Sequence, residues 1–82
     1  MKAIINIYLK NGVLDSQGKA VHHALDSLGF EDSVLDVRVG RQIIIQLKSK
    51  TKSEARTETT KMCEELLANT VIEDYTIEIL DV

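Results

Sequence analysis

Apolar and polar positions alternate from the start of the chain. In "KAIINIYLK" (2–10), Ala3, Ile5, Ile7 and Leu9 fall on one face, which predicts a strand. The other face carries Ile4 and Tyr8 among polar residues. The period then lengthens. Val21, Ala24, Leu25 and Leu28 lie at helical spacing and predict a helix over 16–28, with Asp15 as its N-cap and Gly29 as its left-handed end. Alternation returns in "VLDVRV" (34–39) and "QIIIQLK" (42–48), with Leu35, Val37 and Val39 on one face and Ile43, Ile45 and Leu47 on the next. These two predict a hairpin. A two-residue loop would set Val37 opposite Ile44, on the wrong face, so the expected turn takes one extra residue, Gly40–Arg41–Gln42.

"TKSE" (51–54) fits a capping box and opens a second helix to about Ala68. Its apolar stripe is Ala55, Thr59, Met62, Cys63, Leu66 and Leu67, and Asn69 suits a left-handed end. "DYTIEIL" (74–80) is a last strand with Tyr75, Ile77 and Ile79 inward. The order β-α-β-β-α-β is that of the ferredoxin-like split unit. The expected fold is α+β: a four-stranded antiparallel sheet with two helices on one face. The other face would expose Ile4, Tyr8, Ile44 and Leu80. An exposed apolar patch marks an interface, so the pattern predicts a homo-oligomer that buries this face or pairs its edge strands.

The length of 82 residues fits one domain, spanning 1–82. A chain of this size buries only ~60% of its unfolded surface, which gives association a stabilising role. The net charge of −3 argues against nucleic acid, which asks for a basic footprint. Tyr8 is the only aromatic on the expected central strands, too few to stack bases. No apolar run approaches the ~20 residues that span a membrane, and "MKAIINIYLK" lacks a cleavage pattern. The single Cys63 excludes an internal disulfide and suits a reducing cytoplasm.

Candidate chemistry is sparse. There is no GxxxxGK[ST] and no GxGxxG. "DSQG" precedes a helix, but the Asp15 carboxylate would itself occupy the amides an anion needs. His22 and His23 point ~100° apart on a helix and do not share an ion easily, while His22 and Asp26 can pair on the surface. Cys63 lies on the buried stripe, where a thiol acts as a small hydrophobe. Lys48, Lys50, Lys52, Arg56 and Lys61 make one end basic, which suits a solvated rim. No nucleophile is paired with a base.

Three stretches, "VLDSQGKAVHHAL" (13–25), "DVRVGRQI" (36–43) and "MCEELLANTVIEDY" (62–75), together resemble the PurS family, the small subunit of phosphoribosylformylglycinamidine synthase. The likeness extends over nearly the whole chain. It implies a part in de novo purine synthesis, in the ATP- and glutamine-dependent conversion of formylglycinamide ribonucleotide (FGAR) to formylglycinamidine ribonucleotide (FGAM). On that resemblance a large subunit, PurL, carries ATP, Mg and the amidation, and PurQ releases ammonia from glutamine. The PurS-like chain would bind no cofactor or metal and hold no catalytic residue. It would bridge PurL and PurQ, support ammonia transfer, and form a homodimer or homotetramer. Loops bind more often than core positions do, so Leu14, Asp15, Gln17, Gly18, Arg38, Gly40 and Arg41 are the candidate partner contacts. Ile4, Tyr8 and Ile44 are the candidate oligomer face. The chain departs from the family pattern at Ser16 and Thr70, where proline is usual, and loses rigidity at the helix start but no chemistry. A regulatory amino-acid-binding domain similar to ACT domains has the same topology and would use the loop 11–18. A minimal dimeric enzyme would use His22 or His23.

Overall fold

A computed structural model describes all of residues 1–82. Strand β1 (Lys2–Leu9) lies at the centre of a three-stranded antiparallel sheet, between β2 (Arg41–Gln46) and β3 (Glu73–Leu80). Ile5 stands opposite Ile43 on one side and Ile77 on the other, so the inward faces agree across the sheet. Ala3, Ile5, Ile7 and Ile79 are buried there.

Helix α2 (Lys52–Met62, continuing in a wider turn through Leu67) covers β3 and β1. Its start is capped as the sequence predicts: the Thr51 hydroxyl accepts the Glu54 N–H at 3.1 Å. Ala55, Thr59, Cys63 and Ala68 are buried against the sheet. Leu66, expected in the stripe, is 82% exposed, and Leu67 turns inward instead. The wider turn at Cys63–Leu67 alters the helical phase at that point. The chain then leaves the helix through an extended Ala68. Asn69 does not adopt positive φ. Its side chain accepts the Val71 N–H at 3.2 Å and its carbonyl accepts the Ile72 and Glu73 N–H groups. This local side-chain bond forms the turn without left-handed backbone.

Helix α1 (Ser16–Leu25) opens on Asp15 as expected, and its final turn through Phe30 breaks at Gly29, whose φ is 97°. The expectation that both helices cover one sheet face is corrected. Gly18 is the only buried residue of α1, and Leu28 beyond it is 73% exposed. The helix stands off the end of the sheet.

The expected fourth strand, 34–39, is also absent from the chain's own sheet. Arg41 and Gln42, expected in a turn, begin β2, with Arg41 opposite Ile7 and Gln42 opposite Asn6. The expected three-residue turn does not form, because Arg41 and Gln42 are taken into the ladder with β1 and leave no residues to reverse the chain. Instead, residues 34–39 run back from the far end of α1, where Phe30 O accepts the Val34 N–H, to its start at Asp15. The result is an arm on a small sheet. The chain extends 49 × 28 × 14 Å with a radius of gyration of 16.2 Å. A compact domain of this length has ~12 Å.

Candidate functional site

The arm joins the sheet at a shallow cleft of about 200 Å³. Tyr8, Asp15, Gln17, Gly40, Arg41 and Glu73 are among the residues that line it. The cleft thus brings together the loop before α1, the approach to β2 and the start of β3.

Asp15 ties two of these segments. Its Oδ1 accepts the Gly18 N–H at 2.8 Å, and its Oδ2 accepts the Val39 N–H at 2.8 Å. The first bond caps α1. The second fixes the arm's return path. These two bonds hold the Asp15 carboxyl below its usual range, the Gly18 bond contributing most. Gly18 is buried because the same path passes over it. A Cβ built there would lie 2.5 Å from the Val37 carbonyl oxygen. The glycine that weakens a first turn is therefore needed for close backbone approach.

Arg41 and Glu73 tie the third segment. Arg41 Nη1 donates to Glu73 Oε2 at 2.6 Å, and Nη2 donates to Glu73 Oε1 at 3.1 Å and to Leu67 O at 2.7 Å. Glu73 Oε1 also accepts the Asn69 N–H at 2.7 Å. The planar guanidinium suits this forked geometry. The Arg41 bonds, with the Asn69 N–H second, hold the Glu73 carboxyl below its usual range. Arg38 donates to Leu9 O at 2.6 Å and to Lys10 O at 3.3 Å, closing the loop after β1.

The structure thus gathers Asp15, Gln17, Gly40 and Arg41 at one cleft, with Gly18 and Arg38 bracing its walls. Leu14 is 65% exposed beside it. Ile4 and Ile44 are direct cross-strand partners on the opposite face of the sheet, and Ile44 is 53% exposed. Tyr8 shares that face of β1 but sits at the cleft end, two pairs along from Ile4 with Asn6 between them. Glu73 is the cleft residue that local sequence signals miss. It lies 32 positions from Arg41, and no short-range pattern joins them.

The groups set aside as chemistry stay apart from the cleft. His22 lies 3.7 Å from Asp26, one helical turn on. Cys63 is buried, and burial pushes its thiol up. No three His, Cys, Asp or Glu side chains converge as metal ligands. No helix is long and apolar enough to cross a membrane.

Residues 2–81 match the sequence profile of the PurS family, described as phosphoribosylformylglycinamidine (FGAM) synthase. The phosphoribosylformylglycinamidine synthase subunit PurS of Bacillus subtilis is 43% identical over 81 residues, covering 99% of this chain and 94% of that protein. The crystal structure of Methanocaldococcus jannaschii PurS superposes with a TM-score of 0.88 at 37% identity, covering 99% of this chain and 96% of that one. A chain in the structure of PurLQS from Thermotoga maritima gives a TM-score of 0.83 at 29% identity, covering 96% and 95%.

Proposed function

The chain belongs to the PurS family of phosphoribosylformylglycinamidine synthase, and from that premise we propose that it bridges the glutaminase PurQ and the synthase PurL. It is a subunit of that purine-biosynthetic ligase, with PurL and PurQ as its partners. The observation that carries the bridging role is the likeness, over nearly the whole chain, to one chain of a PurLQS structure.

The cleft supports the role physically. Its walls are fixed by the Asp15 and Arg41–Glu73 bonds, while Leu14 and Gln17 remain exposed. A surface held rigid before contact loses less conformational entropy on docking. Leu14, Asp15, Gln17, Gly18, Arg38, Gly40 and Arg41 form the proposed partner surface. Its task is positional: it seats the source of ammonia against the synthase, so that ammonia released from glutamine reaches the amidation site. ATP and Mg belong to PurL in this scheme. The chain acts as a cytoplasmic homodimer or homotetramer, with Ile4, Tyr8 and Ile44 on a face that a neighbouring subunit covers.

The test is reconstitution of amidation from PurL, PurQ, Mg-ATP and FGAR, with and without this chain. Supplied with glutamine, the reaction should depend on the chain. Supplied with ammonium salt, it should depend on it far less. Equal glutamine-driven rates without the chain would refute the reading.

A further inference from the structure

The connection from α2 to β3 holds two apolar side chains out in water. Leu66 is 82% exposed and Val71 is 81% exposed, with Ile72 partly exposed beside it. A regular helix would carry Leu66 and Leu67 inward together, at i+3 and i+4 from the buried Cys63. The wide turn at Cys63–Leu67 closes instead on the Cys63 carbonyl, which accepts the Ala68 N–H at 3.1 Å, and only Leu67 packs on the core. Wide turns of this kind recur at functional sites. The corner is also pinned. Arg41 donates to Leu67 O at 2.7 Å, the Asn69 N–H donates to Glu73 Oε1 at 2.7 Å, and the Val71 N–H donates to Asn69 Oδ1 at 3.2 Å.

We propose that Leu66 and Val71 form a docking knob for the synthase PurL, received by an apolar recess whose rim carries a lysine or arginine facing Glu65. This deepens the bridging reading by giving PurL a surface of its own, and it rests on that reading.

Charge sets the chemistry of the recess. Most charged groups around the corner are engaged within the chain: Tyr75 donates to Glu64 at 2.7 Å, Arg41 forks onto Glu73, and Lys10 reaches Asp74 at 2.8 Å. Glu65 is exposed and makes no ion pair. One free carboxylate beside two apolar side chains fits a partner that is apolar at the centre and cationic at the rim, the usual division of an interface. Single exposed apolar residues are ordinary on any surface. Here they are grouped. The Lys10 N–H donates to Ile72 O at 2.9 Å and joins the corner to the loop that carries the exposed Leu14. Grouped exposure of this kind marks an interface. A bridge also needs a separate surface for each partner. The cleft, with Gln17 and Arg41 for polar contact, serves the ammonia source, which leaves the apolar corner to the synthase. Side chains held out on a pinned backbone lose little entropy when they dock.

The test uses the full-length chain assembled with PurL and PurQ. Val71 replaced by the photo-crosslinking residue p-benzoylphenylalanine should, on irradiation, join the chain to PurL. A product with PurQ or with a second copy of the chain, or no product at all, would overturn the proposal. Leu66→Ser combined with Val71→Ser should raise the concentration of chain that half-saturates the glutamine-driven rate by at least about tenfold, the effect of losing a central apolar contact. Glu65→Lys should raise it in the same direction. Melting temperature and oligomeric mass should hold in both variants, because these side chains touch little of their own chain. An unchanged half-saturation point in the Leu66→Ser, Val71→Ser variant would refute the knob. The native chain tests the bridging reading separately. A native chain that does not support glutamine-driven amidation sinks that reading, whereas a native chain that supports it no better than the Leu66→Ser, Val71→Ser variant sinks the knob alone.

Discussion

The Asp15 carboxylate accepts the Val39 N–H at 2.8 Å across 24 positions of sequence. One side chain thereby caps a helix and anchors the segment that returns past it. Asp15→Ala removes both acceptors and leaves the Gly18 and Val39 amides unpaired. Its expected effect is a fall of about 5–10 °C in the melting temperature. Asp15→Asn keeps one carbonyl acceptor and should lose roughly half as much. Thermal scans at fixed protein concentration check both, because association also shifts the midpoint.

Gly18→Ala separates helix propensity from packing. In an isolated first turn alanine would stabilise the helix by roughly 1 kcal/mol. Here the new Cβ lies 2.5 Å from Val37 O and 2.6 Å from Asp15 Oδ2, so the backbone must move. Overpacking of this kind costs about 1–3 kcal/mol and should outweigh the propensity. Denaturant unfolding should therefore show net destabilisation. A more stable variant would mean that the arm gives way easily at this point.

How much of this was legible beforehand depends on how far apart the interacting residues lie. The Asp15 cap and the Thr51 cap are set by residues within one turn, and both were readable. Glycine is unfavourable in a first helical turn, so Gly18 stands out in the sequence, but its cause is a carbonyl at Val37 that only the fold brings near. The Arg41–Glu73 fork gave no signal for the same reason. The alternation of 34–39 predicts a strand, but the segment joins no strand of the sheet and its Leu35 is 97% exposed. Period alone does not say which strand it pairs with, and the expected three-residue turn Gly40–Arg41–Gln42 fails because Arg41 and Gln42 are already paired with Ile7 and Asn6 of β1. The stripe of α2 was sound through Cys63 and failed at Leu66, where the wider turn alters a phase that a helical wheel assumes constant.

Acid should loosen the cleft before the sheet. The folded chain holds Asp15 below 3.8 and Glu73 below 4.5. A lowered carboxyl gives stability that is present above the unfolded value and lost as pH falls through the folded one. The native chain should keep its full melting temperature above about 4.5 and lose it progressively below that value. Asp15→Asn with Glu73→Gln should be less stable near neutrality and flatter across the acid limb. An acid limb as steep as the native one would assign it to other carboxylates.

Tyr75 should mark the alkaline side. Its hydroxyl donates to Glu64 Oε2 at 2.7 Å, and this bond to a carboxylate pushes its ionisation from 10 to about 12. A raised value means stability present below 10 and lost as pH rises towards 12. In the Tyr8→Phe background, tyrosinate absorbance should rise near 12, and Glu64→Gln should bring it down towards 10. An unchanged titration in Glu64→Gln would show that the carboxylate is not the cause.

Gln17 offers the cleanest separation of docking from folding. It lines the cleft, is exposed, and makes no side-chain hydrogen bond within the chain. Gln17→Ala should therefore leave the melting temperature within about 1–2 °C, as for surface changes that remove no packing. If the cleft faces PurL or PurQ, truncation there should weaken assembly by about tenfold, the effect of losing a moderate interface contact. The concentration of chain that half-saturates the glutamine-driven rate should rise accordingly. The ammonium-driven rate of PurL should not change, because the variant leaves the synthase untouched. A half-saturation point equal to that of the native chain would place the partner surface elsewhere, and the outer face at Ile44 would be the next to probe.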